Sequence, residues 1–160
     1  EDFDAVVDLA DNVRAMNTPF DILICNAGIL GRSKLESIKG IEKQFAVNHL
    51  SHFILVNRLL DQVKAASKGR VVIVASDAHV TTLPGGIAFD NLSGERGYSA
   101  LKFYGQSKLA NLLTARELGR RLSGSETTAN ALHPGFVNTN IFHNLPAFLN
   151  APLKVLARPF

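Results

Sequence analysis

An α/β fold, a parallel β-sheet with helices packed against it, is the class this sequence predicts, and two observations carry the prediction. Along the 160 residues the apolar pattern switches in the order strand, helix, strand, helix, strand. The residues that stand out chemically fall where the strand-like runs stop: Asn26, Ser76 and the His133-Pro134-Gly135 turn. In open parallel sheets, sites form beyond the carboxyl ends of the strands. With 46% apolar residues, the chain has material for a real core and reads as one domain or part of one.

Taken in order, "FDILICNAG" (20–28) is a short apolar run stopped by Asn-Ala-Gly, a buried strand followed by a tight turn. Residues 37–66 carry Ile41, Phe45, Asn48, Phe53, Val56, Leu59 and Leu60 at helical spacing, which predicts one long helix. "GRVVIVAS" (69–76) is β-branched and apolar on both faces, the mark of a central parallel strand. A polar, glycine-rich loop follows through "TTLPGG" and "NLSGERG". The next helix is expected to hold both tyrosines, Tyr98 and Tyr104, and to run to Leu122. "TTANALHPGF" (127–136) reads as a last short strand, broken by Pro134-Gly135.

Composition removes several functions. The start "EDFDAVVDLADNV" has no initiator methionine and no charged-then-apolar leader, which predicts a piece of a longer protein. No apolar run is long enough for a transmembrane helix. A single cysteine, Cys25, excludes an internal disulfide framework and suits a reducing compartment, so a cytoplasmic location is expected, membrane association of a longer protein aside. The net charge is +3, yet the basic residues are scattered, and Arg120 and Arg121 share a helix with Glu117. That pattern predicts a solvated helix face and no nucleic-acid partner. His49 and His52 are three apart without a carboxylate or thiolate cluster, so no metal is expected.

Tyr98/Lys102 and Tyr104/Lys108 both place a phenol four residues before an ammonium. At about 100° per residue, Tyr104 and Lys108 share a face with Leu101, Leu112, Ala115, Leu118 and Leu122, the side that packs on the sheet. A lysine there is costly unless something uses it. A free phenol titrates near pH 10, and bringing it to about 7 requires roughly 4 kcal/mol of preference for the phenolate. One ammonium about 5 Å away, at an effective dielectric near 20, supplies roughly 3 kcal/mol. The bland reading, a buried tyrosine with a lysine snorkelling past it, explains the pair alone equally well. Ser76 at the end of a central strand, able to donate to a substrate carbonyl, and Asn48 in an apolar helical stripe turn the pair into a constellation. Tyr104 is therefore chosen over Tyr98.

Five pieces in order, "CNAG", "VNHLSHF", "VVIVAS", "YGQSK" and "HPGFVNT", resemble the short-chain dehydrogenase/reductase family. The long Ser76–Tyr104 gap, "YGQSKLANLL" and "NALHPG" resemble its retinol dehydrogenase and WW-domain oxidoreductase branch. The resemblance implies a Rossmann-like doubly wound parallel sheet, three-layer α/β/α, truncated at both ends. It covers nearly all of residues 1–160, which would be a partial NAD(P)-binding domain with the catalytic half, Glu1–Ala15 being the helix before the full fold's fourth strand. Tyr104 would be the general acid in reduction and the base in oxidation. Lys108 would lower its pKa and hold the nicotinamide ribose, Ser76 would orient the carbonyl, and Asn48 would anchor a proton-relaying water. Asn26, Ala27 and Gly28 would line the adenine-ribose side of the cleft. Pro134, Gly135, Val137 and Thr139 would contact the nicotinamide end.

Two departures from the family pattern are visible. Cys25 stands where a second asparagine is usual and is small enough to pack there. No Gly-rich pyrophosphate turn occurs in its strand-turn-helix setting, so the 160 residues alone are expected to be inactive. NADP is favoured over NAD as cofactor, and a lipophilic aldehyde, ketone or retinoid-like alcohol as substrate. Residues 141–160, rich in Phe, Leu and Pro, would begin a lid over the substrate pocket. Leu109 and Leu113, on the helix face away from Tyr104, suggest a homodimer. A nucleotide-sugar epimerase or dehydratase on the related fold, or a non-catalytic scaffold, are the competing readings.

Overall fold

The computed structural model describes residues 2–31 and 33–135. In chain order the elements are α1 (Phe3–Ala15), β1 (Ile22–Cys25), a small hairpin of β2 (Ser37–Ile38) and β3 (Ile41–Glu42), α2 (Lys43–Phe45), a π-helical turn (Ala46–Leu50), α3 (Ser51–Lys64), β4 (Arg70–Val74), two 3-10 turns (Asp77–Thr81 and Phe89–Asn91), α4 (Ala100–Arg121) and β5 (Thr128–Leu132). β1, β4 and β5 form a parallel sheet with β4 in the middle, as its two-faced apolar pattern predicts.

Register places Cys25 beside Ile73 and Ile73 beside Ala131. Because side chains alternate across a strand, Leu23, Cys25, Val71, Ile73, Ala129 and Ala131 share one face. Val56 and Val63 of α3 and Ala115 and Leu118 of α4 join them in the core. Cys25 packs there as expected. The opposite face carries Ile22 and Ile24, which are 56% and 60% exposed. The basic pair behaves as a solvated face, with Arg120 and Arg121 both bonded to Glu117.

The helix expected over 37–66 begins only at Lys43. Residues 37–42 form a hairpin instead, because Lys39 and Gly40 both take positive φ (49° and 80°), the backbone of a two-residue hairpin turn. The helix then widens into a π turn at Ala46–Leu50 before α3. Tyr98 lies outside α4, which starts at Ala100 after Ser99. Leu101, expected on the sheet-facing stripe, is 55% exposed, since the first turn of α4 buries Phe103 instead, against the Tyr98 ring.

A buried polar network ties these segments together. Glu42 caps α2, accepting from the Phe45 N–H at 2.9 Å. Fully buried Gln44 accepts from the Gly31 N–H at 2.7 Å and donates to Glu42, to the Tyr98 hydroxyl and to the Ala100 carbonyl. One carboxamide thus joins the loop after β1 to the start of α4. Burial pushes the Glu42 carboxyl up despite its N–H donors, and burial pushes the Tyr98 phenol up to about 12.

Gln44→Ala is expected to cost about 2–4 kcal/mol, because the Gly31 N–H and Ala100 carbonyl lose their buried partner. Tyr98→Phe removes one member and is expected to cost about 1 kcal/mol. Urea unfolding of the full-length variants measures both, and wild-type stability for Gln44→Ala would show the network to be idle.

Candidate active site

The site is built where β4 ends. Ser76 follows β4 in extended conformation, and its hydroxyl accepts from the Ala78 N–H at 3.2 Å, starting the 3-10 turn Asp77–Thr81. α4 lies across that turn. At Gly105 a Cβ would meet the Ala78 carbonyl oxygen at 2.5 Å and the Thr81 hydroxyl at 2.9 Å. Only glycine permits this approach, which sets Tyr104 beside Ser76, whose hydroxyl favours the phenolate.

One turn further along α4, Lys108 is buried at 3% exposure. Its Nζ lies 5.6 Å from the Tyr104 ring centroid and donates to the Val74 carbonyl at 3.1 Å. Burial pushes this ammonium down to about 8. Burial also raises the Tyr104 phenol, while the bond with Ser76 lowers it. The net direction at Tyr104 is opposite to the one its pairing with Lys108 predicts, because burial outweighs the lowering effect of the Ser76 hydroxyl.

Asn48 is fully buried in the π turn. Its Oδ1 accepts from the Ile29 N–H at 2.7 Å, and its Nδ2 donates to the Ile29 carbonyl at 2.9 Å. Nδ2 also donates to the Ser107 hydroxyl at 3.0 Å, which itself donates to the Tyr104 carbonyl at 2.7 Å. Asn48, Ser76, Tyr104 and Lys108 are thereby brought together, as the sequence predicts. Ser107, inside the quoted "YGQSK", is a link that sequence reasoning passed over, as is the close approach at Gly105.

Gly28 also belongs to this cluster. A Cβ there would stand 3.4 Å from Asn48 Oδ1 and 3.5 Å from Lys108 Nζ. Its absence leaves a cradle open to the buried ammonium, which fits the ribose of a nicotinamide cofactor. Asn26 and Ala27 are exposed at the end of β1. Pro134 and Gly135 are exposed just past β5, where His133 Nε2 lies 3.2 Å from Asp77 Oδ2. Val137, Thr139 and residues 141–160 lie outside the described residues.

The two histidines are spent on hydrogen bonds. His49 Nδ1 pairs with Asn111 Oδ1 at 3.1 Å, and His52 Nδ1 with the Asn48 carbonyl at 3.0 Å. Among the described residues no group of three metal-ligating side chains forms, and no helix is long and apolar enough to cross a membrane.

The model of the short chain dehydrogenase family matches residues 1–150. Short-chain dehydrogenase TIC 32 A, chloroplastic, of Brassica napus is 45% identical over 137 residues, 81% of this chain and 43% of that protein. Human retinol dehydrogenase 14 is 46% identical over 121 residues, 76% of this chain and 35% of that protein. The WW domain-containing oxidoreductase of Gallus gallus is 39% identical, covering 98% of this chain and 39% of that protein. The chain thus spans less than half the length of these relatives. Among solved structures, an uncharacterized protein from Mycobacterium paratuberculosis superposes with a TM-score of 0.70 at 37% identity, covering 99% of this chain and 56% of that one. The NADPH-bound carbonyl reductase from chicken fatty liver shares the fold, with a TM-score of 0.64 at 22% identity, covering 99% of this chain and 67% of that one. With the family model, these relatives and the parallel sheet in agreement, the chain belongs to the short-chain dehydrogenase family.

Proposed function

We propose that the whole protein is an NAD(P)-dependent oxidoreductase that interconverts a carbonyl and an alcohol, with Tyr104 as the proton carrier. The observation that supports this most is the convergence of the Ser76 hydroxyl, the Tyr104 phenol and the Lys108 ammonium beside the open backbone of Gly28. NAD(P) supplies the hydride and, when oxidised, a ring cation that favours the phenolate. In reduction the Tyr104 hydroxyl donates its proton to the developing alkoxide, and in oxidation the phenolate takes the proton of the alcohol. Ser76 donates to the substrate oxygen and holds it beside Tyr104. Lys108 holds the nicotinamide ribose and sets the phenol's proton affinity. Asn26 and Ala27 line the cofactor cleft beyond Gly28, and Pro134 and Gly135 border its nicotinamide end.

NADP is the preferred cofactor in this reading, in line with the NADPH-bound carbonyl reductase of the same fold. The substrate is a lipophilic aldehyde, ketone or retinoid-like alcohol. Human retinol dehydrogenase 14 supports that class, as do exposed Val80, Phe89 and Leu101 on the segments between Ser76 and Tyr104. A cytoplasmic location accords with a free, buried Cys25. The proposed homodimer rests on Leu113, which is 42% exposed on α4. Leu109 is half-buried beneath Gly86 and contributes less.

In the full-length protein Tyr104→Phe is expected to lower kcat by about 10²–10⁴-fold with cofactor affinity retained, while Tyr98→Phe turns over normally. Ser76→Ala is expected to lower kcat about 10²-fold. Steady-state kinetics with NADPH and a lipophilic aldehyde measure all three, and normal turnover by Tyr104→Phe would end this reading.

Lys108→Met separates chemistry from stability. The folded-state value of Lys108, about 8, lies below the ordinary lysine value, so folding disfavours its proton. The cost is in full force below pH 8 and is relieved as pH rises toward the unfolded value. Lys108→Met should therefore unfold at higher urea than wild type at pH 7, by on the order of 2–4 kcal/mol, with the gap narrowing above pH 8. It should also lose cofactor affinity and rate. A less stable Lys108→Met protein at pH 7 would contradict the burial cost.

For the dimer, Leu113→Glu should shift sedimentation toward monomer. A wild type that is monomeric at high concentration would remove the idea.

A further inference from the structure

Two backbone carbonyls stand next to the buried ammonium, and one side chain outside the tetrad holds both. Asn111, three residues after Lys108 on α4, is 1% exposed. Its Nδ2 donates to the Asn48 carbonyl at 3.0 Å and to the Val74 carbonyl at 3.2 Å. The Val74 carbonyl is the acceptor used by Lys108 Nζ, at 3.1 Å. Two donors from successive turns of α4 therefore converge on the last carbonyl of β4.

The orientation of the Asn111 amide is fixed by chemistry. Its two carbonyl partners can only accept, so the nitrogen must face them and Oδ1 must face His49. Oδ1 can only accept in turn, so the His49 ring carries its proton on Nδ1 and donates at 3.1 Å. His49 is seated between Phe45 and Phe53, with ring centroids 5.1 Å and 5.8 Å away. His52 gives the Asn48 carbonyl a second donor at 3.0 Å.

We propose that Asn111, oriented by His49, is a positioning residue of the site, which holds the Asn48 carbonyl and shares the Val74 carbonyl with Lys108, and so limits the pull of these carbonyls on the ammonium beside Tyr104. A carbonyl that loses a neutral donor has a free lone pair in a buried place, and the nearest cation fills it. Without the Asn111 amide, Lys108 would be drawn toward β4 and away from the phenol. The proposal rests on Tyr104 and Lys108 being the acting pair. It assigns Asn111 no contact with substrate or cofactor.

The test reads the phenol directly and needs no turnover. Full-length protein is labelled with 13C at the tyrosine ζ carbon, and the Tyr104 resonance is identified by its loss in Tyr104→Phe. Asn111→Ala is expected to raise the pH midpoint of that resonance by half a unit or more, about a threefold change in proton affinity. His49→Ala should move it the same way by less, and His49→Gln, which keeps a donor, should restore it. Where Asn111→Ala does not fold, Asn111→Ser and His49→Ala carry the measurement. A lowered melting temperature with an unmoved Tyr104 midpoint in these variants would make Asn111 a packing residue and overturn the proposal. Normal turnover by Tyr104→Phe would instead sink the enzymatic reading, so the two failures are distinguishable.

Discussion

The site depends on the carboxamide of Asn48 acting as a strand neighbour for a loop that has left the sheet. The loop that directly follows Cys25 is outside the ladder, yet the N–H and carbonyl of Ile29 must be satisfied. Asn48 bonds both, at 2.7 and 2.9 Å. It is fully buried, out of reach of bulk solvent, so each bond is expensive to leave unmade. Its remaining donor reaches Ser107, and Ser107 reaches the carbonyl of Tyr104. A single side chain therefore fixes the post-β1 loop, the π turn and the Tyr104 turn of α4 in one register. The π turn has its place here, since widening a helix by one residue is a common way to re-aim a functional side chain.

A second constraint is electrostatic. Lys108 is buried, and among the described residues its hydrogen-bond acceptor is the Val74 carbonyl, not a carboxylate. A carbonyl dipole offsets only part of the desolvation cost of an ammonium. A helix evolving for stability alone would place an apolar residue there. The unrelieved cost is the reason to read the position as functional, and burial-depressed lysines are typical of such sites. The same burial raises Tyr104, so the two groups are driven apart in proton affinity, the phenol upward and the ammonium downward.

The sheet and the tetrad were legible in the sequence because both depend on short-range pattern. Apolar runs of "ILIC" and "RVVIV" have few alternatives to parallel strands, although Ile22 and Ile24 of the first are exposed where a buried strand is expected, and Asn48, Ser76, Tyr104 and Lys108 stand at element positions that periodicity assigns. What escaped depends on partners far along the chain. Gln44 bonds residues 13 and 56 positions away, and Asn111 bonds residues 63 and 37 positions away. A lone Gln or Asn in an amphipathic helix carries no local mark of such partners. The hairpin at 37–42 was hidden differently: Ile38 and Ile41 are three apart, which fits a helix, while "KG" can supply the turn. Asp2 and Asp4 at the start of α1 help decide it, holding Lys39 at 3.8 and 2.6 Å.

The two tyrosines show where spacing stops being informative. Both precede a lysine by four residues, both are drawn upward by burial, and both touch buried polar groups. They differ in what those groups do. The Tyr98 hydroxyl is committed to Gln44, beside the Glu42 carboxyl, whose charge raises the phenol further and makes a phenolate there harder to form. Lys102 is exposed and outside that network. Tyr104 faces a hydroxyl that favours its ionised form, with an ammonium 5.6 Å from its ring. Gly105 creates the difference: by letting α4 approach the turn after Ser76, it converts a common helical spacing into a phenol aimed at a strand end. Acid-base competence therefore lies in the sign of the neighbouring charge and in the one residue that allows the approach, with the Tyr-Lys interval a necessary but shared feature.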